Sequence, residues 1–224
     1  MIRLCLLDCD GTLVDSQSAI VSSMAKAFSA HGCPEPDAEA VRRVVGLPLR
    51  AAIAQLLPES EAAASGPIAE SYSAAFAGLR RDGAVNEPLY PGAREALAAL
   101  DADGWLLGIA TGKSHRGLVA TLAGHGLESR FVTLQTSDRA AGKPNPDMVL
   151  CALAETGADA ASTVVVGDTT FDMMMARNAG ALAVGVTWGY HRADELRASG
   201  AHAIVSSFED VAPTLARLLD GEAE

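Results

Sequence analysis

The chain has 224 residues, 49% of them hydrophobic, and its 28 acidic against 17 basic side chains give a formal net charge of −11. That composition excludes a disordered chain and allows one large core, or one core with an insertion. It also argues against nucleic acid or an anionic membrane as partner, so an anionic substrate has to be drawn in locally.

Met1-Ile2-Arg3-Leu4 runs straight into a first apolar run at 4–7, leaving no room for a signal peptide, and no apolar stretch is long enough to span a bilayer. A cytoplasmic monomer or homodimer is expected. The run 4–7 reads as a buried strand and ends in Asp8-Cys9-Asp10-Gly11. Extended backbone points residues i and i+2 to one face, so Asp8 and Asp10 are expected around one small volume, with Gly11 turning the chain. Two carboxylates that close require a proton, a metal ion or a basic side chain between them.

Residues 16–87 read as all-helical, with segments near 19–30, 37–45, 49–57 and 67–79 and no convincing strand. Asn86-Glu87-Pro88-Leu89-Tyr90-Pro91-Gly92 marks the return to a different rhythm. From there strands at 106–110, 131–135, 163–166, 182–186 and 203–205 alternate with helices at 93–101, 115–123, 147–156, 170–179, 193–198 and 209–219. This is the pattern of a doubly wound parallel α/β sheet, and strands without alternation fit a sheet covered on both faces.

Three more polar segments fall where these strands end: Thr111-Gly112-Lys113-Ser114, Gly142-Lys143-Pro144-Asn145-Pro146-Asp147 and Gly167-Asp168-Thr169-Thr170-Phe171-Asp172. Ligands of open α/β sheets bind outside the carboxyl ends of the strands. With Asp168 and Asp172, one helical turn apart, Asp8 and Asp10 make a set of four carboxylates. Facing a phosphate dianion, such a set needs cations; one divalent ion plus Lys143 nearly balances it, and all-oxygen ligation favours Mg²⁺ over Zn²⁺. The chemistry that fits is covalent phosphoryl transfer. One ionised carboxylate acts as nucleophile and a second moves the proton, while Thr111 Oγ, backbone N–H groups and a helix N-terminus hold the phosphoryl oxygens.

The segments Asp8-Cys9-Asp10-Gly11-Thr12-Leu13-Val14-Asp15-Ser16, Thr111-Gly112, Lys143-Pro144 and Gly167-Asp168 with Asp172 resemble, in order, the four sequence motifs of the haloacid dehalogenase superfamily. Among its subgroups the chain is most similar to phosphoglycolate phosphatases. The resemblance implies a Rossmann-like core, residues 1–15 and 88–224, with a helical C1-type cap inserted at 16–87. It implies Asp8 as the nucleophile that becomes an aspartyl phosphate and Asp10 as general acid/base. Thr111, Gly112 and Lys143 would bind the phosphoryl group. Mg²⁺ would lie on Asp8, the backbone carbonyl of Asp10 and Asp168, with Asp172 completing the metal site through a water or by orienting the ligands.

The expected activity is Mg²⁺-dependent hydrolysis of a small phosphorylated metabolite such as 2-phosphoglycolate. Alternatives are a phosphomutase of the β-phosphoglucomutase type, which passes the phosphoryl group to a second hydroxyl, and a non-catalytic regulator that binds a phosphorylated ligand. Dehalogenation fits less well, because that branch usually lacks the second aspartate.

The remaining signals are weaker. Met173-Met174-Met175 reads as helix core filling. The five histidines have no metal-ligand spacing, and Cys5, Cys9, Cys33 and Cys151, without CxxC pairs, read as reduced and mostly buried thiols. Trp188-Gly189-Tyr190-His191 reads either as an ordinary loop or as the border of the active-site mouth. Arg50, beside Gly46-Leu47-Pro48, is a candidate specificity residue because cap loops of similar proteins contact substrate.

Overall fold

The computed structural model describes residues 2–221. After β1 (Leu4–Leu7) come four helices, α1 (Gln17–Ala30), α2 (Ala38–Val44), α3 (Leu49–Leu56) and α4 (Ser65–Arg81). The alternating part follows: α5 (Ala93–Ala102), β2 (Leu106–Thr111), α6 (His115–His125), β3 (Thr133–Thr136), α7 (Asp147–Thr156), β4 (Thr163–Gly167), α8 (Thr170–Asn178), β5 (Leu182–Val186), α9 (Ala193–Ala198), β6 (Ala203–Val205) and α10 (Val211–Leu219). The six strands form one parallel sheet in the order β3-β2-β1-β4-β5-β6. β1 is central, with Leu4 in register with Leu106 on one side and Thr163 on the other. The winding direction reverses between β1 and β4, which opens a crevice beyond their carboxyl ends.

β1 is wholly buried because both faces of the sheet are covered. Cys5 and Leu7 pack with Leu97 and Leu100 of α5 and Leu215 of α10; Leu4 and Leu6 pack with Met148 of α7 and Met173 of α8. Met173 and Met175 are buried in that second cluster, as core filling. Of the four free thiols only Cys5 and Cys9 are buried; Cys33 is half-buried and Cys151 exposed, a correction to the expectation for them.

Boundaries moved for local reasons. β3 starts two residues late, at Thr133, after a 3₁₀ turn over Glu128–Arg130 that Phe131 ends. The last helix starts at Val211, after a 3₁₀ turn over Phe208–Asp210. Helix starts follow side-chain caps: Asp37 accepts from the Glu39 and Ala40 N–H groups at the head of α2, and Ser114 accepts from Gly117 N–H at the head of α6. Among the described residues no helix is long and apolar enough to cross a membrane.

Helices α1–α4 bury a cluster of their own, in which Ile20, Met24, Phe28, Val41, Ile53 and Ile68 meet. The insertion is pinned over the carboxyl ends of the strands. Arg43 donates two hydrogen bonds of 2.7 Å to Glu195 of α9. Thr170 N–H donates to His191 Nδ1 at 3.1 Å, so His191 Nε2 carries the proton and donates to the Arg43 carbonyl at 3.2 Å. Between these contacts and α3 the loop Gly46-Leu47-Pro48 closes on the core. A Cβ on Gly112 would lie 2.9 Å from the Gly46 carbonyl oxygen, and one on Gly142 would collide with the Pro48 ring.

The insertion's cohesion rests on Phe28, which is 2% exposed. Phe28→Ala is expected to cost about 3–5 kcal/mol in denaturant unfolding followed by a probe in the insertion. A loss below about 1 kcal/mol would show that α1 does not need that ring.

Candidate active site

Asp8 is the first residue after β1 and Asp168 the first after β4, so adjacent central strands deliver both to the crevice. Gly11, at φ +86°, turns the chain between Asp10 and Thr12; a side chain there would meet Asp168 and the Tyr190 ring, so the turn fits only glycine. Thr12 Oγ then donates to Asp168 Oδ1 at 2.7 Å, and Tyr190 N–H donates to Oδ2 at 2.9 Å. Asp172 enters from the first turn of α8. It forms a capping box with Thr169, accepting through Oδ2 from Thr169 Oγ at 2.6 Å and Thr169 N–H at 3.1 Å. Thr169, and not Asp168, is therefore the helix cap.

Asp8, Asp168 and Asp172 are at most 1% exposed, and one oxygen from each lies within 4.8 Å of the others. Lys143, itself buried, places Nζ 2.9 Å from Asp8 Oδ1 and 2.5 Å from Asp172 Oδ1. Cys9 N–H donates a further 2.6 Å hydrogen bond to Asp8 Oδ1. Burial pushes the Asp8 carboxyl up to about 6, with Lys143 pulling against it and Asp172 adding to it. Burial, then Asp8 and Asp172, push Asp168 well above the usual carboxylate range. Burial disfavours the Lys143 ammonium too, but Asp172 and Asp8 outweigh it and hold the lysine charged.

Three carboxylates around one ammonium leave two negative charges in a space closed to solvent. A divalent cation fits that excess, and a donor set made only of oxygens suits a hard cation.

Asp10 is not one of the three whose oxygens lie within 4.8 Å of one another, although its charge still acts on the Asp8 carboxyl. Its Oδ1 accepts from Ser16 Oγ at 2.5 Å and lies 2.8 Å from Lys113 Nζ. Lys113 also lies 3.8 Å from Glu87 Oε2 and stacks on the Phe76 ring. Glu87 Oε1 in turn takes Arg80 of α4 at 2.5 Å and Thr121 Oγ at 3.0 Å. Burial opposes the Lys113 charge, yet Asp10 first and Glu87 after it raise the lysine above its ordinary value.

Thr111 ends β2 rather than following it, and its buried Oγ accepts from Lys113 N–H at 3.3 Å. The Gly112 carbonyl accepts from Ser137 Oγ at 2.7 Å. Arg50 is exposed at the head of α3 and lines the cleft that also exposes Asp10 and Lys113. It touches none of the buried carboxylates.

Sequence reasoning gave no role to Lys113, Glu87, Thr12 or Ser16 and left Tyr190 between an ordinary loop and the border of the site. Thr12 and Ser16 lie inside the first motif and Lys113 directly after Thr111-Gly112, so adjacency was their signal. Glu87 is a hinge residue whose role depends on partners distant in sequence. Trp188 Nε1 donates to the Thr12 carbonyl at 3.0 Å, and Tyr190 supports Asp168, so that loop braces the site from behind.

A family model of haloacid dehalogenase-like hydrolases matches residues 5–186. The chain is 40% identical over 213 residues to "Probable phosphatase IndB" of Dickeya dadantii, covering 93% of this chain and 91% of that protein. It is 32% identical to a phosphoglycolate phosphatase of Caulobacter vibrioides, over 95% of this chain and 90% of that one. Among solved structures, a hydrolase from Pseudomonas syringae matches with a TM-score of 0.82 at 26% identity, over 97% of this chain and 99% of that one. A catalytic-type carboxylate cluster at the switch point of a parallel sheet and these likenesses agree: the chain belongs to the haloacid dehalogenase-like hydrolase family, as one of its phosphatases.

Proposed function

We propose that this phosphatase is a Mg²⁺-dependent phosphomonoester hydrolase working through an aspartyl phosphate on Asp8, with residues 16–87 as its cap. The observation that carries the reading is the contrast between two neighbouring aspartates. Asp8 is buried against Lys143 among further carboxylates, whereas Asp10 is held separately by Lys113 and Ser16. One group suits attack and the other proton transfer.

Asp8 attacks phosphorus, forming an acyl phosphate as the ester P–O bond breaks, and Asp10 gives its proton to the departing oxygen. Ser16 and Lys113 both engage Oδ1 of Asp10, which leaves Oδ2 without a hydrogen bond among the described residues and free to carry that proton. Asp10 then takes a proton from water, which hydrolyses the acyl phosphate. Thr111 Oγ, Gly112 N–H and Lys143 hold the phosphoryl oxygens. The carboxylates of Asp8, Asp168 and Asp172, with the Asp10 carbonyl, would hold Mg²⁺, which supplies positive charge to the phosphoryl group when bound. The Gly46-Leu47-Pro48 loop excludes bulk water while the acyl phosphate exists.

The substrate class is a small phosphorylated metabolite, with 2-phosphoglycolate as the reference compound because several relatives carry that name. The decisive assay is phosphate release across a panel of phosphometabolites with Mg²⁺. Isomerisation of a hexose 1-phosphate in the presence of its bisphosphate, without free phosphate, would establish the mutase instead. No release from any compound would favour a binding protein.

Asp8→Asn is expected to abolish turnover with the melting temperature little changed, and retained turnover would remove Asp8 from the nucleophile role. For Asp10→Asn the expected loss in kcat is roughly 10²–10⁴-fold. Chelation of divalent metal should stop hydrolysis and Mg²⁺ should restore it; undiminished activity after chelation refutes the metal requirement. Gly142→Ala should lower kcat/KM by up to about 10²-fold through the Pro48 clash, with the fold intact by circular dichroism. An unchanged rate would show that the loop need not close that far.

A further inference from the structure

A cleft of 680 Å³ lies between the insertion and the core and opens on Asp10 and Gly112. It is within the roughly 300–1,000 Å³ that takes up a drug-sized molecule. Much of its wall is apolar, formed by Val41, Val44, Leu47, Tyr72 and Phe76. A two-carbon phospho-acid would leave most of that wall bare.

The charges in the cleft run against those of the chain. Five cations, Arg50, Arg80, Arg81, Lys113 and Arg116, line it against two carboxylates, Asp10 and Asp138, in a protein of formal charge −11. Arg80 and Lys113 are committed to Glu87 and Asp10. Arg50, Arg81 and Arg116 have no ion pair or hydrogen bond among the described residues. They project from three separate elements, α3, the end of α4 and the start of α6. Asp8 and Lys143 do not line this cleft, so the three guanidinium groups are placed for the body of a substrate and not for its scissile phosphoryl group. Unpaired arginines gathered at one concave site raise the local concentration of anions and form strong hydrogen bonds to carboxylate or phosphate oxygens.

We infer that the substrate is a phosphomonoester with an apolar body that carries a second anionic group, bound by Arg50, Arg81 and Arg116. This rests on the hydrolase reading above and names the substrate class of the same site. The body packs on Val41, Leu47, Tyr72 and Phe76, and the distal anion reaches the arginines while the phosphoryl end enters beneath the Gly46-Leu47-Pro48 loop.

The test compares kcat/KM for three alkyl phosphates with Mg²⁺: benzyl phosphate, 4-carboxybenzyl phosphate and 2-phosphoglycolate. 4-Carboxybenzyl phosphate is expected to exceed benzyl phosphate by at least about tenfold, the factor one charge-assisted hydrogen bond supplies. It should exceed 2-phosphoglycolate as well. In Arg50→Gln, Arg81→Gln and Arg116→Gln the ratio between the two benzyl compounds should fall, and in the triple variant it should approach unity. Because each readout is a ratio within one variant, a general loss of activity or stability cancels. Hydrolysis of benzyl phosphate with no preference for its carboxylated form overturns this inference alone. So does a preference for 2-phosphoglycolate, or a ratio unmoved by the substitutions. Failure on all three while another compound of the phosphometabolite panel is hydrolysed overturns this inference alone, and failure across the whole panel overturns the hydrolase reading together with it.

Discussion

Three buried carboxylates around one buried ammonium are the constraint on which the rest of this structure depends. Removing Asp8, Asp168 and Asp172 from water is costly, and the protein offsets it with fixed donors. Lys143 bridges Asp8 and Asp172, Thr169 satisfies the other oxygen of Asp172, and Thr12 and Tyr190 satisfy Asp168. These donors arrive from the turn after β1, the head of α8, the loop after β5 and the segment before α7. Only a parallel sheet whose winding reverses at β1 and β4 brings all of those segments to one end. The charge excess that remains is one a divalent cation would offset.

Asp8 and Asp10 show how two like residues acquire different chemistry two positions apart. The chain stays extended through Asp8 and turns at Gly11, and the second carboxylate meets Lys113 and Ser16. Lys113 is shared with Glu87, which also holds Arg80 at the end of α4. Asp10, the hinge residue Glu87 and Arg80 of the insertion are therefore joined by one chain of charge contacts through Lys113.

The insertion also shapes the substrate's surroundings. Its loop lies on Gly112 and Gly142 at a distance that only glycine allows, and the cleft it forms with the core is lined by apolar side chains and by five cations. The buried carboxylates thus belong to the core, while most of the cleft's apolar wall belongs to the insertion.

The order of elements, the four motifs and the identities of Asp8, Asp10, Lys143, Asp168 and Asp172 were readable because each is a local signal. They are an apolar run of strand length, a turn glycine, a capped helix, or a charged residue placed at a strand's end. The sheet's parallel winding followed from the same alternation. Only the tertiary structure decided which carboxylates meet. The i, i+2 rule says nothing of Lys113, which pairs with Asp10 and lies near Glu87, partners 103 and 26 residues away along the chain. The tertiary structure decided equally that Arg81 and Arg116 share a cleft with Arg50, since long-range packing sets the distance between surfaces, and no period within one segment encodes it.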